Sequence, residues 1–148
     1  MITEKAPGKL YIAGEYAVVE NGYPAILVAL DQFVTCTIEE SVQEVGQIIS
    51  RQYNNDQLSW RRLGDQMVVD KRDNPFSYIL SAIRVTEEYA RTFSRDLRIF
   101  NIHIDSQLDS ANGRKYGLGS SAAVTVATVK ALCRFYNLPV SKDQIFKL

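Results

Sequence analysis

The feature that most constrains the fold of this chain is a glycine loop followed directly by a long apolar segment. Gly117 and Gly119 stand one residue apart, two serines come next, and residues 120–136 are almost all compatible with a buried helix. Glycine tolerates left-handed backbone angles and lets a ligand approach the main chain closely. The first N–H groups of a helix lack internal partners and carry partial positive charge. The segment therefore predicts a phosphate site at the start of a helix that ends near Tyr136.

Side chains beside this glycine loop (residues 117–119) add donors and positive charge. Ser120 and Ser121 can cap the helix, bind a phosphate oxygen or ligate magnesium. Arg114 and Lys115 stand just before the loop and supply mobile cationic side chains. The residue types on both sides of the loop are therefore suited to an anionic ligand.

Two other interpretations of the glycines are less consistent with the sequence around them. An ordinary loop that caps a buried helix would explain one glycine and one serine. Gly117, Gly119 and Ala122 also match the dinucleotide-binding pattern G-x-G-x-x-A, which requires a strand running directly into the first glycine. Here the strand-like segment Leu97–Ile104 is separated from Gly117 by a long polar loop, Asp105–Tyr116. The phosphate-binding pattern G-x-x-x-x-G-K-[ST] does not occur in the sequence.

Composition places the chain among ordinary globular proteins and argues against several kinds of partner. The 148 residues include 17 acidic and 17 basic side chains, and 46% are apolar. Zero formal charge gives no electrostatic reason to expect a nucleic acid or a membrane surface as partner. No apolar stretch approaches the roughly 20 residues of a membrane span, and the N-terminus lacks the apolar core of a signal peptide. We therefore expect a cytoplasmic protein.

The potential metal-binding and nucleophilic residues are few. Cys36, Cys133 and His103 cannot form a zinc site of the usual kind. Both cysteines fall in apolar patterns and are predicted to be core residues, while His103 is predicted on the less buried face of a strand. No thiol or imidazole nucleophile is expected.

The N-terminal part of the chain is predicted to be rich in β-strands. Ala6–Val19 is β-rich, and its glycines predict a bend at each end of a short strand that carries Lys9. Ala25–Leu30 is a continuous apolar run, which predicts a well-buried strand. Gln32–Glu40 alternates strictly, so its apolar residues should share one face. Shorter strands are predicted at Gln47–Tyr53 and Met67–Val69.

Helices are predicted in the remainder of the chain. Asp73-Asn74-Pro75 predicts the start of an amphipathic helix, with Arg84/Glu88 and Glu87/Arg91 as ion pairs on its outer face. The S-x-x-Q pattern at 141–144 predicts a capping box that opens a further helix with Ile145, Phe146 and Leu148 on its apolar side.

Two segments together resemble a known superfamily. The sequence G-L-G-S-S-A-A at 117–123 resembles the second motif of the GHMP kinases, which include galactokinase, homoserine kinase, mevalonate kinase and phosphomevalonate kinase. The sequence P-G-K-L-Y-I-A-G-E at 7–15 resembles their first motif, P-G-K-x-x-x-x-G-E. The resemblance implies an α+β fold, a mixed β-sheet covered by helices, as in the GHMP kinase N-terminal domain, which is similar to the second domain of ribosomal protein S5.

Departures from the common motifs indicate which members of the superfamily the chain resembles most. Mevalonate kinases typically have G-E-H where this chain has Gly14-Glu15-Tyr16, and many members have proline where this chain has Gly113. Both departures resemble bacterial phosphomevalonate kinases. Mevalonate kinase or another small-molecule kinase of the superfamily is the alternative. A non-catalytic nucleotide- or RNA-binding module is a second alternative, because the S5-like fold binds RNA, but the zero net charge argues against it.

The resemblance implies an activity and a set of site residues. The implied reaction is ATP-dependent phosphorylation of 5-phosphomevalonate to 5-diphosphomevalonate, in the mevalonate pathway of isoprenoid biosynthesis. By resemblance Lys9 stabilises charge on the transferred phosphoryl group or the acceptor, Ser121 ligates Mg²⁺, and Glu15 and Tyr16 lie on the acceptor side. The residues that it implies for the ATP phosphates are Lys115, Gly117, Leu118, Gly119, Ser120, Ser121 and Ala122.

The same resemblance leads us to expect that residues 1–148 are the N-terminal, ATP-binding domain of a longer chain. The last predicted helix reaches Leu148 within two turns of its start. The acidic residue and the third glycine-rich motif of the superfamily are expected beyond that position. We therefore expect negligible kinase activity from residues 1–148 alone. No sequence feature indicates an oligomeric state.

Overall fold

A computed structural model describes residues 1–51, 56–70, 74–109 and 117–148. These ranges form a mixed sheet of six strands covered by helices, which confirms the predicted α+β class. The strands are β1 (Ile2–Ala13), β2 (Ile26–Glu40), β3 (Gly46–Ser50), β4 (Asp56–Leu63), β5 (Gln66–Val69) and β6 (Phe100–Ser106). The helices are α1 (Ser77–Thr92), α2 (Ser120–Phe135) and α3 (Lys142–Lys147), with a short 3-10 helix at Ala17–Val19.

The sheet has the order β1-β2-β6-β3-β4-β5, and its pairs are antiparallel except for β3 with β6. The alternation predicted for β2 is confirmed, because Val34, Cys36 and Ile38 are all buried. Across the β2–β6 pair, Cys36 lies opposite Ile104 and Ile38 lies opposite Ile102. These cross-strand pairs form the centre of the core on the helix-covered face.

Helix α2 is fixed to β1, the strand that carries the first motif. Its bounds agree with the helix predicted from the sequence. The carboxylate of Glu4 on β1 accepts hydrogen bonds from Arg134 and pairs with Lys130 Nζ at 2.9 Å, both on α2. The hydrogen bond from Arg134, and then the charge and hydrogen bond of Lys130, lower the pKa of Glu4. Lys130 also donates to the carbonyl oxygen of Lys5 at 2.9 Å, so β1 and α2 have a fixed register.

Helix α1 begins later than predicted. Asp73, predicted as part of the helix start, lies outside the described residues, and the helix itself begins at Ser77. The side chain of Asn74 accepts the N–H of Phe76 at 3.0 Å, which closes a turn just before the first helical residue. Asn74 was predicted to cap the helix, but it lies two residues before the N-cap residue Phe76 and stabilises the preceding turn instead.

The predicted outer ion pair between Glu87 and Arg91 is wrong. Glu87 is only 5% exposed and binds the guanidinium of Arg62 from β4, while the Tyr136 hydroxyl donates to it at 2.8 Å. Arg91 instead pairs with Asp65 at 3.3 Å on the surface. Helical spacing alone cannot reveal a buried partner on another element.

The bounds and number of the strands also differ from the prediction. Strand β1 runs through Gly8 and is longer than the predicted short strand, and residues 17–19 form a 3-10 helix rather than β-structure. Strand β4 was not predicted, because its segment is polar, yet Leu58 and Trp60 within it are buried core residues. Strand β6 ends at Ser106, so it includes the first residues of the predicted polar loop.

The apolar run at residues 25–30 forms part of β2 but is not well buried, contrary to prediction. Ile26, Leu27 and Val28 are 60%, 47% and 45% exposed. On the last helix the capping box of Ser141 and Gln144 is confirmed, whereas Phe146 is exposed rather than packed. Both errors concern apolar residues for which no covering element lies within the described part of the chain.

The cysteine and histidine predictions are confirmed. Cys36 and Cys133 are buried, and burial raises the pKa of Cys36 to about 12 and that of Cys133 to about 11. Their thiols therefore stay protonated near neutral pH. His103 lies on the exposed face of β6. Across the described ranges, no helix is both long and apolar enough to span a membrane.

Candidate active site

The first and second motifs meet in the structure. The backbone N–H of Lys9 in β1 donates to the carbonyl oxygen of Leu118 in the glycine loop at 2.9 Å. The β1–β2 register shifts between Pro7 and Lys9, so the main chain departs from regular pairing at this point. Two segments more than 100 residues apart in sequence are thereby joined at the start of α2.

Gly8 makes this contact possible because it has no side chain. A Cβ at Gly8 would lie 2.5 Å from Leu108 Cδ2 and 2.9 Å from the Leu118 oxygen. Both distances are too short for real carbon contacts, and the oxygen belongs to the backbone. Leu108, fully buried after β6, therefore packs directly on the main chain of the first motif.

Gly119 in the glycine loop leaves room for the side chain of Lys9. Its φ is +76°, in the left-handed region, and a Cβ there would lie 2.8 Å from Lys9 Cγ. The aliphatic stem of Lys9 therefore lies directly on the glycine loop. Gly117 has a similar φ of +74°, but open space surrounds the position where its Cβ would be.

The ammonium group of Lys9 lies over an aromatic ring. Lys9 Nζ is 4.0 Å from the centroid of the Tyr11 ring, two residues further along β1 and on the same face. Among the described residues no carboxylate lies within 4.0 Å of this ammonium. Its positive charge is therefore not neutralised by those residues.

The start of α2 differs from the prediction in its cap. Gly119 is the N-cap residue and no side chain caps the helix, so the predicted capping role of Ser120 and Ser121 is wrong. Ser120 is buried and Ser121 is half-buried. The N–H of Ala123 donates to the Gly119 oxygen at 3.0 Å, which leaves the N–H groups of residues 120–122 without intrahelical acceptors. This is the arrangement that binds anions at helix N-termini.

A cleft of about 450 Å³ lies between β1, β2 and the first turns of α2. Its walls are mainly apolar, and Lys9 is the charged residue in its lining. Leu27 from β2 and Val126 from α2 are among the partly exposed apolar side chains that line it. The cleft therefore offers one cationic group and the start of α2, at Gly119 and Ala122, beside an apolar surface, whereas Gly117, Leu118, Ser120 and Ser121 are not among the residues that line it.

A second cleft, of about 500 Å³, lies between β5 and α1 and contains no residue of either motif. Its rim carries both acidic and basic side chains. Arg91 pairs there with Asp65, and the carboxylate of Glu87 is bound by Arg62. These pairs neutralise much of its charge, so the cleft beside Lys9 is the better candidate site.

The remaining predicted residues are not all brought to the cleft. Glu15 and Tyr16 lie in an exposed turn after β1, and Tyr16 is 86% exposed. Neither side chain forms a hydrogen bond or an ion pair with another residue in the part of the chain that the structure describes. Lys115 lies outside the described residues. Tyr11 was missed in the sequence, although a period of two along a strand places it beside Lys9.

No cluster of three or more histidine, cysteine or acidic residues suited to a metal ion is present in the described ranges. Two acidic residues lie at the end of β6 and just after it. Asp105 pairs with Arg51 at 3.6 Å on the surface. Asp109 accepts a hydrogen bond from Ser106 at 2.7 Å through Oδ2, while its Oδ1 is buried and has no hydrogen-bond partner among the described residues. The hydroxyl of Ser121 stays the predicted metal ligand.

Comparison with known proteins yields a consistent set of relatives. Residues 77–148 match the family model described as the GHMP kinases N terminal domain. The chain is 36% identical over 156 residues to a phosphomevalonate kinase of Streptomyces sp. strain CL190, covering 99% of this chain and 41% of that protein. It is 37% identical over 153 residues to a mevalonate kinase of Methanocaldococcus jannaschii, covering 100% of this chain and 45% of that protein.

Solved structures include similar proteins. The structure of Streptococcus pneumoniae phosphomevalonate kinase in complex with phosphomevalonate and AMPPNP superimposes with a TM-score of 0.80 and 32% identity, covering 99% of this chain and 40% of that one. The chain thus spans about two-fifths of the length of these relatives.

Proposed function

This chain belongs to the GHMP kinase superfamily, and on that premise we propose that it is the N-terminal domain of an ATP-dependent kinase of the mevalonate pathway, with 5-phosphomevalonate as acceptor. The proposed products are 5-diphosphomevalonate and ADP. The acidic residue and the third glycine-rich motif that such a kinase needs would lie outside residues 1–148. The cytoplasmic location stays a prediction from composition.

One observation carries this proposal, the contact between the two motifs. The N–H of Lys9 donates to Leu118, and the stem of Lys9 rests on Gly119. Lys9 and the start of α2, at Gly119 and Ala122, therefore line one open cleft. Transfer of a phosphoryl group between two polyanions depends on such positioning and charge neutralisation.

Each residue of the second motif has a role in the proposal. The N–H groups of Ser120, Ser121 and Ala122 would receive phosphate oxygens of ATP, because they have no acceptor within the helix. Gly117 would let the phosphates approach closely, since nothing lies within 4 Å of the position of its absent Cβ. Leu118 contributes its carbonyl oxygen to Lys9, so its main chain orients the cation rather than binding the anion directly. Lys115 would add charge from the preceding segment.

The residues present fit the phosphates of ATP and fit Mg²⁺ in part. Bound Mg²⁺ would neutralise phosphate charge, and the half-buried Ser121 is the proposed ligand. The described residues hold no cluster of three or more histidine, cysteine or acidic residues, so the proposal names Ser121 alone as a Mg²⁺ ligand. Lys9 would hold the anionic oxygen of the acceptor or of the transferred group, and a preorganised contact of this kind contributes about 3–4 kcal/mol to lowering the barrier.

Phosphomevalonate is the proposed acceptor rather than mevalonate for two reasons. The motif departures at Tyr16 and Gly113 resemble phosphomevalonate kinases. An acceptor phosphate is already ionised near neutral pH, since its second pKa is about 6, and so depends less on a general base than the hydroxyl of mevalonate does. Mevalonate kinase is the alternative, because the chain is 37% identical to the archaeal mevalonate kinase and 36% identical to the bacterial phosphomevalonate kinase.

The decisive experiment measures ADP release by the full-length protein with phosphomevalonate and with mevalonate. We expect turnover with phosphomevalonate, and we expect Lys9→Met to lower kcat/KM by about 100-fold or more, as for loss of one preorganised charge contact. Turnover with mevalonate but not with phosphomevalonate would show that the protein is a mevalonate kinase. Unaltered turnover by Lys9→Met would remove the proposed role of Lys9.

The non-catalytic alternative predicts a different result. An RNA-binding module would retain RNA on a filter at physiological salt and would release no ADP with either acceptor. Glu15 and Tyr16 are proposed to contact the acceptor, and both side chains are exposed to solvent.

A further inference from the structure

We propose that Tyr11 is a positioning residue for Lys9, and that its ring holds the ammonium over the cleft without neutralising it. The proposal rests on the function proposed above for Lys9. The observation behind it is the 4.0 Å distance between Lys9 Nζ and the centroid of the Tyr11 ring.

Three contacts together fix the conformation of the Lys9 side chain. Its backbone N–H is held by Leu118 O at 2.9 Å, its Cγ lies against Gly119, and its ammonium lies over Tyr11. A free lysine side chain has four rotatable bonds and a strongly hydrated charge, so it samples many positions. The first two contacts fix the base of the side chain, and the ring fixes the tip.

An aromatic ring suits this task better than a carboxylate. A carboxylate would bind the ammonium through hydrogen bonds and would compete with an anionic ligand for the same donors. The face of a ring attracts a cation through its quadrupole and accepts no conventional hydrogen bond, so the three N–H donors of Lys9 stay available. The described residues include no carboxylate within 4.0 Å of Lys9 Nζ, which agrees with this arrangement.

Strand geometry holds the ring in place. Tyr11 follows Lys9 by two residues on β1, so both side chains project from the same face. Tyr11 lies opposite Leu27 of β2, a residue that lines the same cleft. The ring therefore lies beside the cleft, where it can set the position of the ammonium.

The test compares Tyr11→Leu with Tyr11→Phe in the full-length protein. A cation–π contact contributes about 0.5–2 kcal/mol, so Tyr11→Leu should lower kcat/KM with phosphomevalonate by between about 2-fold and 30-fold. Tyr11→Phe keeps the ring and should restore most of this loss. Equal loss in both variants would show that the hydroxyl, not the ring, matters and would overturn the proposal.

A double-mutant cycle separates positioning of Lys9 from a general effect on the fold. Tyr11→Leu should lower kcat/KM in the unaltered protein but should have little further effect in the Lys9→Met background, where residual turnover is followed with radiolabelled ATP. Losses that simply multiply would overturn the proposal. Phe33→Leu is the matched control, because it also removes a ring from beside a lysine. Lys5 Nζ lies 4.4 Å from the Phe33 ring centroid on the same sheet, but neither residue lines the cleft, so kcat/KM should stay unchanged.

An NMR measurement distinguishes failure of this proposal from failure of the proposed function. The ε-methylene protons of Lys9 should resonate upfield of those of exposed lysines because of the Tyr11 ring current, and Tyr11→Leu should abolish this shift. Absence of the shift would overturn the positioning role whatever the enzyme does. If the shift is present but Lys9→Met is fully active, the function assigned to Lys9 fails, and the catalytic consequence proposed for Tyr11 fails with it.

Discussion

Substitution of the two loop glycines by alanine tests the contact between the motifs most directly. Gly117 and Gly119 have nearly equal left-handed angles, with φ of +74° and +76°, so alanine at either position carries a similar backbone cost of about 1–2 kcal/mol. They differ in their surroundings. A Cβ at Gly119 would lie 2.8 Å from Lys9 Cγ, whereas among the described residues no atom beyond the chain neighbours lies within 4 Å of a Cβ at Gly117. Gly117→Ala is therefore a matched control for Gly119→Ala.

The size of the expected difference follows from the displaced lysine. The Cγ of Lys9 must move, and forcing a side chain away from its preferred rotamer costs about 0.5–1.5 kcal/mol. Gly119→Ala should therefore destabilise the protein by that amount more than Gly117→Ala. For a domain of this size the difference corresponds to roughly 1–6 °C in Tm.

The assay is urea unfolding followed by the fluorescence of Trp60, which is buried in the core. Repeating both substitutions in a Lys9→Ala background removes Cγ, so the part of the difference that depends on Lys9 should vanish there. Any separate preference of the N-cap position for glycine appears in both backgrounds and cancels. A difference between the two alanine variants that is the same with Lys9 and with Ala at position 9 would refute the contact.

Two further predictions concern stability. Glu87→Gln should destabilise the fold by about 3 kcal/mol or more, because it leaves the guanidinium of Arg62 buried without its anion. Asp65→Asn breaks an exposed ion pair and should cost less than about 1 kcal/mol of stability. Equal urea midpoints for the two variants would contradict this account. Glu4→Gln should cost about 1 kcal/mol near pH 7. The pKa of Glu4 is lowered in the folded state, so its stabilisation is present above the unfolded value of about 4.3 and is lost as the pH falls through the folded value. Urea midpoints of the two proteins should therefore converge as the pH falls below the lowered pKa of Glu4 in the folded state, and a constant gap down to acid pH would exclude this linkage.

Local patterns predicted the parts of the fold that depend on nearest neighbours. The helix of residues 120–135, the alternating face of β2 and the capping box at Ser141 each follow from spacing within one element. Contacts between elements could not be predicted in this way. Glu87 looked like an outward-facing acid on a helix, but Arg62 on β4 and Tyr136 after α2 form a buried site for it.

Burial of the apolar run in β2 could not be predicted for a related reason. Periodicity reports which residues could be buried, whereas burial itself needs a covering element. Ile26, Leu27 and Val28 form a strand as expected, yet they stay partly exposed because no described element covers them. The proposal that this chain is one domain of a longer kinase would account for such a surface, since apolar patches commonly mark interfaces.

The loop glycines show where motif-level reasoning was incomplete. From the sequence both were assigned to the approach of an anion. The structure gives them different surroundings, because the space beside Gly117 is open while the space beside Gly119 is filled by Lys9. Gly8 in the first motif has a similar role, because its lack of a Cβ leaves room for Leu108 and the Leu118 carbonyl oxygen. Gly8 and Gly119 therefore serve the contact between the motifs: a side chain at Gly119 would displace the stem of Lys9, and one at Gly8 would press on Leu108 and the Leu118 carbonyl oxygen.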